Sequence, residues 1–202
     1  MSAARVAALY VDPNGVYANL PGVEVWDEAR DARHYNGPWP VVAHPPCAAW
    51  CRLAGFREAR FGLKRGEDGG CFEAALHAVR AFGGVLEHPA YSDAWAAFDL
   101  PEPRSTQGWT SSLTEYGASC YIEQGRYGAP LKKATWLYAY GIDPPNLRWG
   151  FTADCDTRDG SGGGTNHGSW GPYRSGNKTA ATPPAFRDVL LAMARSAAGD
   201  PE

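Results

Sequence analysis

A cysteine and a glutamate occupy similar positions in the chain, each close behind a short apolar run. Cys47 ends the tetrapeptide 44–47, His-Pro-Pro-Cys, which follows the apolar residues 41–43, and Glu87 follows Val-Leu at 85–86. A thiolate can add to an electrophilic ring carbon while a carboxylic acid protonates the ring nitrogen that gathers charge. Cytosine requires both steps, because its C5 is a poor nucleophile until a thiolate adds at C6 and N3 is protonated. A site that holds Cys47 and Glu87 together is therefore suited to activating cytosine.

Two histidines flank this pair. His44 opens the tetrapeptide, and His88 follows Glu87 directly. Imidazole titrates near neutral pH, so either ring could contact a substrate or transfer a proton. The alternative is that each ring only satisfies backbone groups where a strand ends, and the residue pattern leaves both interpretations open.

The elements that must bring Cys47 and Glu87 together are short strands and two helices. Apolar residues at spacings of three and four predict a helix over 71–82, which Gly83 ends. A last helix is predicted over 184–198, with Thr182 as its N-cap. Apolar runs predict strands at 6–11, 23–26, 41–43, 85–86, 119–123 and 135–140.

This order of elements predicts an α/β fold with a mostly parallel sheet and helices on both faces. Ligands of such sheets bind beyond the carboxyl ends of the strands. The prolines at 45–46 must leave the sheet, and one crossover helix separates them from Glu87. The two strands can therefore be neighbours, with Cys47 and Glu87 over one crevice. The chain has 202 residues, and we expect a single domain over 1–202.

Composition narrows the class of protein. Hydrophobic residues make up 44% and charged residues 20%, which is typical of a globular chain. The net charge of −3 argues against an extended, non-specific grip on duplex DNA but permits a local basic patch or a small nucleotide substrate. The absence of a long apolar run or signal-peptide pattern predicts a cytoplasmic protein with no membrane partner. The five cysteines are expected to be reduced thiols.

Four segments carry a resemblance when they are taken in order along the chain. Residues 41–47 read Val-Val-Ala-His-Pro-Pro-Cys, 85–89 read Val-Leu-Glu-His-Pro, 127–138 begin Tyr-Gly-Ala-Pro, and 182–186 read Thr-Pro-Pro-Ala-Phe. The set resembles the cytosine-C5 DNA methyltransferases. The corresponding motifs of that family are Pro-Pro-Cys after a strand, Glu-Asn-Val or Glu-Asn-Pro, Tyr-Gly-x-Pro-Gln-x-Arg-x-Arg, and a C-terminal motif beside the cofactor. The His-Pro-Pro-Cys and Leu-Glu-His-Pro signatures also resemble short phage proteins, a miniature and divergent branch that would act in the host cytoplasm.

The resemblance implies a Rossmann-like, methyltransferase-type fold and methyl transfer from S-adenosylmethionine to cytosine in DNA. It makes Cys47 the nucleophile and Glu87 the donor of the N3 proton, and it places Lys133 where the family's first arginine helps to hold the base. On DNA the base would have to be flipped out of the duplex to reach Cys47. The other residues expected at the substrate are His44, Pro46, His88 and Arg126.

A small basic cluster lies in the third of these segments and just before it. Arg126, Lys132 and Lys133 stand close to Tyr127 and Trp136 in the sequence. Cationic and aromatic side chains together suit a phosphate and a stacked base. A solvated loop is the equally open alternative.

The expected cofactor site departs from the family pattern. The family's Phe-x-Gly-x-Gly loop corresponds here to residues 9–15, which keep one glycine. Tyr10, Asp12 and Gly15 are the residues expected to contact S-adenosylmethionine, and Asp27 follows the second strand, where an acidic residue can hold a ribose. Ordinary surface charge is the alternative for Asp27. Residues 141–181 would have to serve as a reduced recognition insert.

Three other functions remain open. The same thiolate chemistry could serve another transformation or act on a free pyrimidine nucleotide, or the chain could be a retired methyltransferase scaffold that binds nucleic acid or protein. A zinc site would instead imply deaminase-like hydrolysis, although the cysteines lack the paired Cys-x-x-Cys spacing. Its possible ligands are Cys47, Cys51, Cys71, His44 and His88. The glycine-rich run at 160–164 is not a P-loop, because no Gly-Lys-Ser/Thr follows.

Overall fold

The structure is a computed structural model. It describes residues 4–51, 54, 62, 64–112, 117–152 and 181–197. The glycine-rich run at 160–164 and most of the 141–181 segment lie outside the described residues. Among the described residues, no helix is both long and apolar enough to cross a membrane.

Seven strands form one sheet in the order β2-β1-β3-β4-β7-β6-β5. The chain passes from β1 outward to β2 and then crosses back to β3 on the other side of β1. The point between β1 and β3 is therefore a topological switch point of the sheet. The strands are β1 (Val6–Leu9), β2 (Val23–Trp26), β3 (Val41–Ala43), β4 (Gly84–Pro89), β5 (Trp109–Ser111), β6 (Gly117–Glu123) and β7 (Ala134–Tyr140).

The sheet is mixed, so the expectation of a mostly parallel sheet holds for only half of it. β2, β1, β3 and β4 pair in parallel. β7 pairs antiparallel with β4, β6 with β7, and β5 with β6. A short connection between β6 and β7 permits this pairing without a crossover helix.

Helices cover both faces of the sheet, as the sequence predicts. Helix α1 (Cys71–Phe82) and the short helix α2 (Asp93–Ala97) pack on one face, with Leu9 and Leu86. Helix α3 (Pro184–Ala197) packs on the other face, with Val42 and Val85. Neighbouring residues of each strand alternate between the two cores, because side chains of a strand point to opposite faces in turn.

The most consequential difference from the predicted elements concerns β4. The apolar run at 85–86 predicts a strand that stops at Glu87, but β4 continues through Pro89. Its partner β7 aligns Leu137 with Glu87 and Trp136 with His88. Glu87 and His88 therefore belong to the strand itself, and their side chains point to opposite faces of the sheet.

Candidate active site at the carboxyl ends of strands β3 and β4

The parallel register of β3 and β4 brings two predicted site residues together. Ala43 aligns with Leu86, so the next residues, His44 and Glu87, lie side by side. The His44 backbone N–H donates to the Leu9 carbonyl at 3.1 Å, which fixes the end of β3 against β1. Both side chains lie on the α3 face of the sheet, and both are largely buried, with 12% and 11% exposed.

His44 connects two segments through its two ring nitrogens. Nδ1 lies 2.9 Å from Glu87 Oε2, and Nε2 lies 2.9 Å from the hydroxyl oxygen of Tyr17. A carboxylate can only accept, so Nδ1 carries the proton of the first bond. Tyr17 belongs to the loop after β1, where the cofactor is expected. The segment that follows β3 and the loop that connects β1 to β2 are thus in direct contact.

The other oxygen of Glu87 is held from the β6–β7 side. Gln124 Nε2 donates to Glu87 Oε1 at 2.9 Å and to Thr135 Oγ1 at 3.0 Å. All three side chains are buried. The carboxyl group is therefore held by hydrogen bonds at both oxygens, and its orientation is fixed.

These surroundings favour the ionised form of Glu87. Burial alone would raise the pKa of Glu87. The hydrogen bond and charge of His44, with the charges of Lys133 and His88, outweigh burial and lower the pKa to about 2. Glu87 is a carboxylate at neutral pH, whereas a proton donor must carry a proton.

Cys47 begins a tight turn directly beyond this pair. Its carbonyl accepts from the backbone N–H groups of Trp50 and Cys51, both at 3.0 Å. The thiol is half-buried. Cys47 follows His44 by three residues, which places the thiol at the same end of the sheet as Glu87.

His88 lies behind the site, on the opposite face of the sheet. Its fully buried ring packs edge-on to Phe72, with centroids 5.2 Å apart, and stacks near Trp95 at 6.3 Å. Burial lowers the pKa of His88 to about 4, although Glu87 and the carbonyl of Pro46 favour the charged form. The neutral ring belongs to the aromatic core, so the prediction that His88 contacts substrate is not favoured by this geometry.

The remaining predicted substrate residues occupy different settings. Pro46 is exposed, and Lys133 acts on Glu87 through its charge. The Lys133 carbonyl accepts from the Gln124 N–H at 3.2 Å, which ties this loop to the site. The Arg126 guanidinium instead donates to the carbonyl of Phe151 at 2.9 Å.

The predicted cofactor residues surround the ends of β1 and β2. Asp12 and Gly15 close a turn, with the Gly15 N–H on the Asp12 carbonyl at 2.9 Å. Asp27 Oδ1 accepts from the backbone N–H of Arg30 at 2.9 Å. Tyr10 adopts a left-handed backbone with φ 59°, and its buried hydroxyl has no hydrogen-bond partner among the described residues.

Tyr10 lies on the face of the sheet opposite to Glu87. It packs against the core under α1. Burial, together with Cys71, Asp31 and Asp68, raises the pKa of Tyr10 well above its ordinary value, and Arg33 opposes this effect. The hydroxyl is therefore a neutral donor.

The first turn of α3 packs against the loop after β1. Arg187 Nη1 donates to the Val16 carbonyl at 2.9 Å, and the rings of Phe186 and Tyr127 lie 5.2 Å apart. The start of α3 is thus fixed against the loop that connects β1 to β2 and against Tyr127.

The possible zinc ligands do not form a described metal site. Among the described residues, no group of three or more His, Cys, Asp or Glu side chains is arranged to hold a metal ion. Cys51, Cys71 and Cys120 are free thiols.

Sequence reasoning missed three members of the site: Tyr17, Gln124 and Thr135. Thr135 could have been identified from the sequence, because it occupies the position of the second arginine in the Tyr-Gly-x-Pro-Gln-x-Arg-x-Arg motif. Gln124 directly follows the predicted strand 119–123, so its place at a strand end was visible. Tyr17 had no distinguishing feature, because its contact with His44 spans 27 positions of the chain.

Comparison of the chain with models of known families, with curated proteins and with solved structures finds no match.

Proposed function

We propose that this protein modifies cytosine at C5 by methyl transfer to DNA, through a covalent bond between Cys47 Sγ and C6. One observation carries the proposal. The hydrogen-bonded series Tyr17–His44–Glu87 joins the loop after β1 to the ends of β3 and β4. A donor held at that loop and a base held at Cys47 would meet at this junction.

A Rossmann-like, methyltransferase-type fold is part of the same proposal. Open α/β sheets bind ligands outside the carboxyl ends of their strands, at the switch point. The switch point of this sheet lies between β1 and β3, with Tyr10 following one strand and His44 following the other. The proposed cofactor and base sites therefore flank the position that topology favours.

The proposed roles of the residues follow from the chemistry of the base. The Cys47 thiolate forms the S–C6 bond, the C5=C6 double bond shifts to C4=C5, and N3 takes a proton from the Glu87 carboxyl. C5 is then nucleophilic enough to take a methyl group. Loss of the C5 proton, return of the N3 proton and departure of the thiolate restore the aromatic ring.

The chain offers polar groups for S-adenosylmethionine at the loop after β1. The unpartnered Tyr10 hydroxyl fits a polar ligand, and the second carboxylate oxygen of Asp27 could accept from ribose hydroxyls. Asp12 and Gly15 would form the floor of the loop. When bound, this cofactor would supply an electrophilic methyl group.

Product analysis tests the proposal. The protein is incubated with S-adenosylmethionine and cytosine-containing oligonucleotides, which are then digested and searched for 5-methyldeoxycytidine by mass spectrometry. We expect the product from wild type and from Cys51→Ala, the matched thiol control, and none from Cys47→Ala. Wild-type protein that yields no 5-methylcytosine from DNA or from nucleotides would reject methyl transfer.

A free pyrimidine nucleotide is the second candidate substrate, and the net charge of −3 favours it. The same incubation with deoxycytidine nucleotides separates the two substrates. A retired scaffold that only binds nucleic acid or protein would show no heat of binding with S-adenosylmethionine at millimolar concentration.

A further inference from the structure

A hydrogen-bonded path runs from the buried hydroxyl of Tyr17 through both ring nitrogens of His44 to Glu87. Tyr17 is only 2% exposed, so the path is closed to solvent at one end and reaches the carboxyl group at the other. We propose that His44 stores the proton that Glu87 passes to N3 of cytosine, and that Tyr17 orients the His44 ring for this transfer. This inference rests on the proposed function and identifies the source of the proton that N3 receives.

The need for a proton source follows from the contacts of Glu87. Oε2 accepts from His44 and Oε1 accepts from Gln124. Two accepted hydrogen bonds and the nearby charge of Lys133 favour the carboxylate. A carboxylate has no proton to give, so Glu87 must receive one as N3 becomes basic. His44 Nδ1, at 2.9 Å, is within proton-transfer distance.

The transfer balances when His44 begins as an imidazolium. Addition of the thiolate at C6 moves an electron pair onto N3. Glu87 gives N3 a proton and takes the Nδ1 proton of His44, which becomes a neutral ring with its proton on Nε2. That Nε2–H donates to the hydroxyl oxygen of Tyr17. When the thiolate leaves, the N3 proton returns through Glu87 to Nδ1, and nothing is consumed.

Tyr17 is suited to accept a hydrogen bond from His44 and to keep its own proton. Burial and the charge of Glu87 raise the pKa of its hydroxyl well above the ordinary value. Arg187 and Asp188, near the start of α3, act on the pKa of Tyr17 in opposite directions. Lys133 and His88 are the other titratable groups whose charge acts on Glu87, and His88 is neutral because it is buried.

His44 acts through Glu87 and not on the base, so its test needs a signature that a structural role would not produce. Exchange of the C5 hydrogen of cytosine with solvent provides one. It requires addition of Cys47 and protonation of N3 but no methyl donor. The exchange rate of an oligonucleotide carrying 5-deuterated cytosine is measured against pH for wild type, His44→Gln and Tyr17→Phe.

We expect the rate of wild-type exchange to rise and then fall as the pH increases, because the reaction needs a thiolate and a proton donor at the same time. His44→Gln should lower the maximum on the order of 10²-fold and remove the fall at high pH, as expected on loss of a general acid system. Tyr17→Phe, which removes one oxygen atom and is the less disruptive variant, should move the fall to lower pH. His34→Gln is the matched control. His34 Nδ1 also lies beside a carboxylate, 3.4 Å from Asp31 Oδ2, but its side chain is 77% exposed. This variant should have the same exchange rate as wild type.

The outcomes separate the two proposals. Wild-type exchange with unchanged rates and pH profiles in His44→Gln and Tyr17→Phe would overturn the relay and leave the proposed function standing. Absence of exchange in wild type, with Cys47→Ala as the reference, would overturn the proposed function and the relay with it.

Discussion

Glu87 shows how contacts change the chemistry of one residue. Its position in the sequence predicts a proton donor, but its hydrogen bonds to His44 and Gln124 make it a carboxylate. The sequence could not reveal this, because Gln124 lies 37 positions away and reaches Glu87 only through the pairing of β4, β7 and β6. Two properties can be tested at single residues: the ionised state of Glu87 and the neutral state of His88.

Glu87→Gln should destabilise the protein at neutral pH and not at acid pH. The folded-state pKa lies near 2 and the ordinary value is 4.5. Stability from ionised Glu87 is therefore present above pH 4.5 and is lost as pH falls through about 2. The difference between these two pKa values corresponds to roughly 3 kcal/mol in the free energy of unfolding. Urea unfolding at several pH values measures this free energy, and Glu102→Gln, at an exposed position, is the control. If the difference in unfolding free energy between wild type and Glu87→Gln did not change with pH, the assignment of an ionised Glu87 would be contradicted.

His88 should remain neutral until the solution is clearly acidic. Burial against Phe72 and Trp95 holds its pKa at about 4. Its neutral form stabilises the fold above pH 6.5, and this contribution is lost as pH falls through 4. The chemical shifts of the imidazole NMR signals are followed from pH 8 to 4, and those of His88 should stay constant until the last steps. The signals of the exposed residues His34 and His77 are recorded in the same spectra for comparison. Early titration of His88 would mean that water reaches the ring.

At the scale of elements, the strongest sequence signals predicted the parts that position the site. β2, β3 and α1 have the predicted bounds, because their apolar runs end at charges, prolines or glycines. β5 (Trp109–Ser111) has no apolar run and was missed. Helix α2 (Asp93–Ala97) was also missed, although Ser92 caps it by accepting from the Ala94 N–H at 3.2 Å. The antiparallel insertion of β7 beside β4 depends on long-range pairing that no local pattern encodes.

Gly84 sets the spacing of β3 and β4, and hence of His44 and Glu87. Its φ is +126°, and an added Cβ would overlap the Val41 carbonyl oxygen and lie 2.8 Å from the Val41 nitrogen. Gly84→Ala should therefore cost more than the 1–2 kcal/mol, roughly, of left-handed strain alone, and should lower base activation. Gly128→Ala is the matched control, with φ +91° and open space around the added atom. Equal unfolding free energies for the two variants would contradict this account of the strand spacing.

At the scale of the molecule, the net charge of −3 limits the proposed contact with nucleic acid to a small, local area. The chain carries 19 basic and 22 acidic residues. Lys132 is already paired with Glu123 at 3.1 Å, and Arg126 with the Phe151 carbonyl. Lys132 and Arg126 are therefore not directed at a phosphate in this structure, and among the described residues Lys133 is the cation to test.

Lys133→Ala should weaken binding of a cytosine-containing single strand and flatten its salt dependence. Loss of one phosphate contact reduces the slope of log K against log salt by about 0.7. Fluorescence anisotropy across a salt series measures the slope, with the exposed Lys64→Ala as control. A slope that Lys133→Ala leaves unchanged would show that this side chain serves Glu87 and not a phosphate.

The central claim is that Cys47 adds to cytosine within the site that Glu87 shares. Intact-protein mass spectrometry after incubation with a 5-fluorocytosine oligonucleotide and S-adenosylmethionine tests it most directly, because fluorine at C5 blocks release of the thiolate. We predict a covalent adduct for wild type and for Cys51→Ala, and none for Cys47→Ala. A wild-type protein without adduct, or an adduct that survives in Cys47→Ala, would contradict the claim.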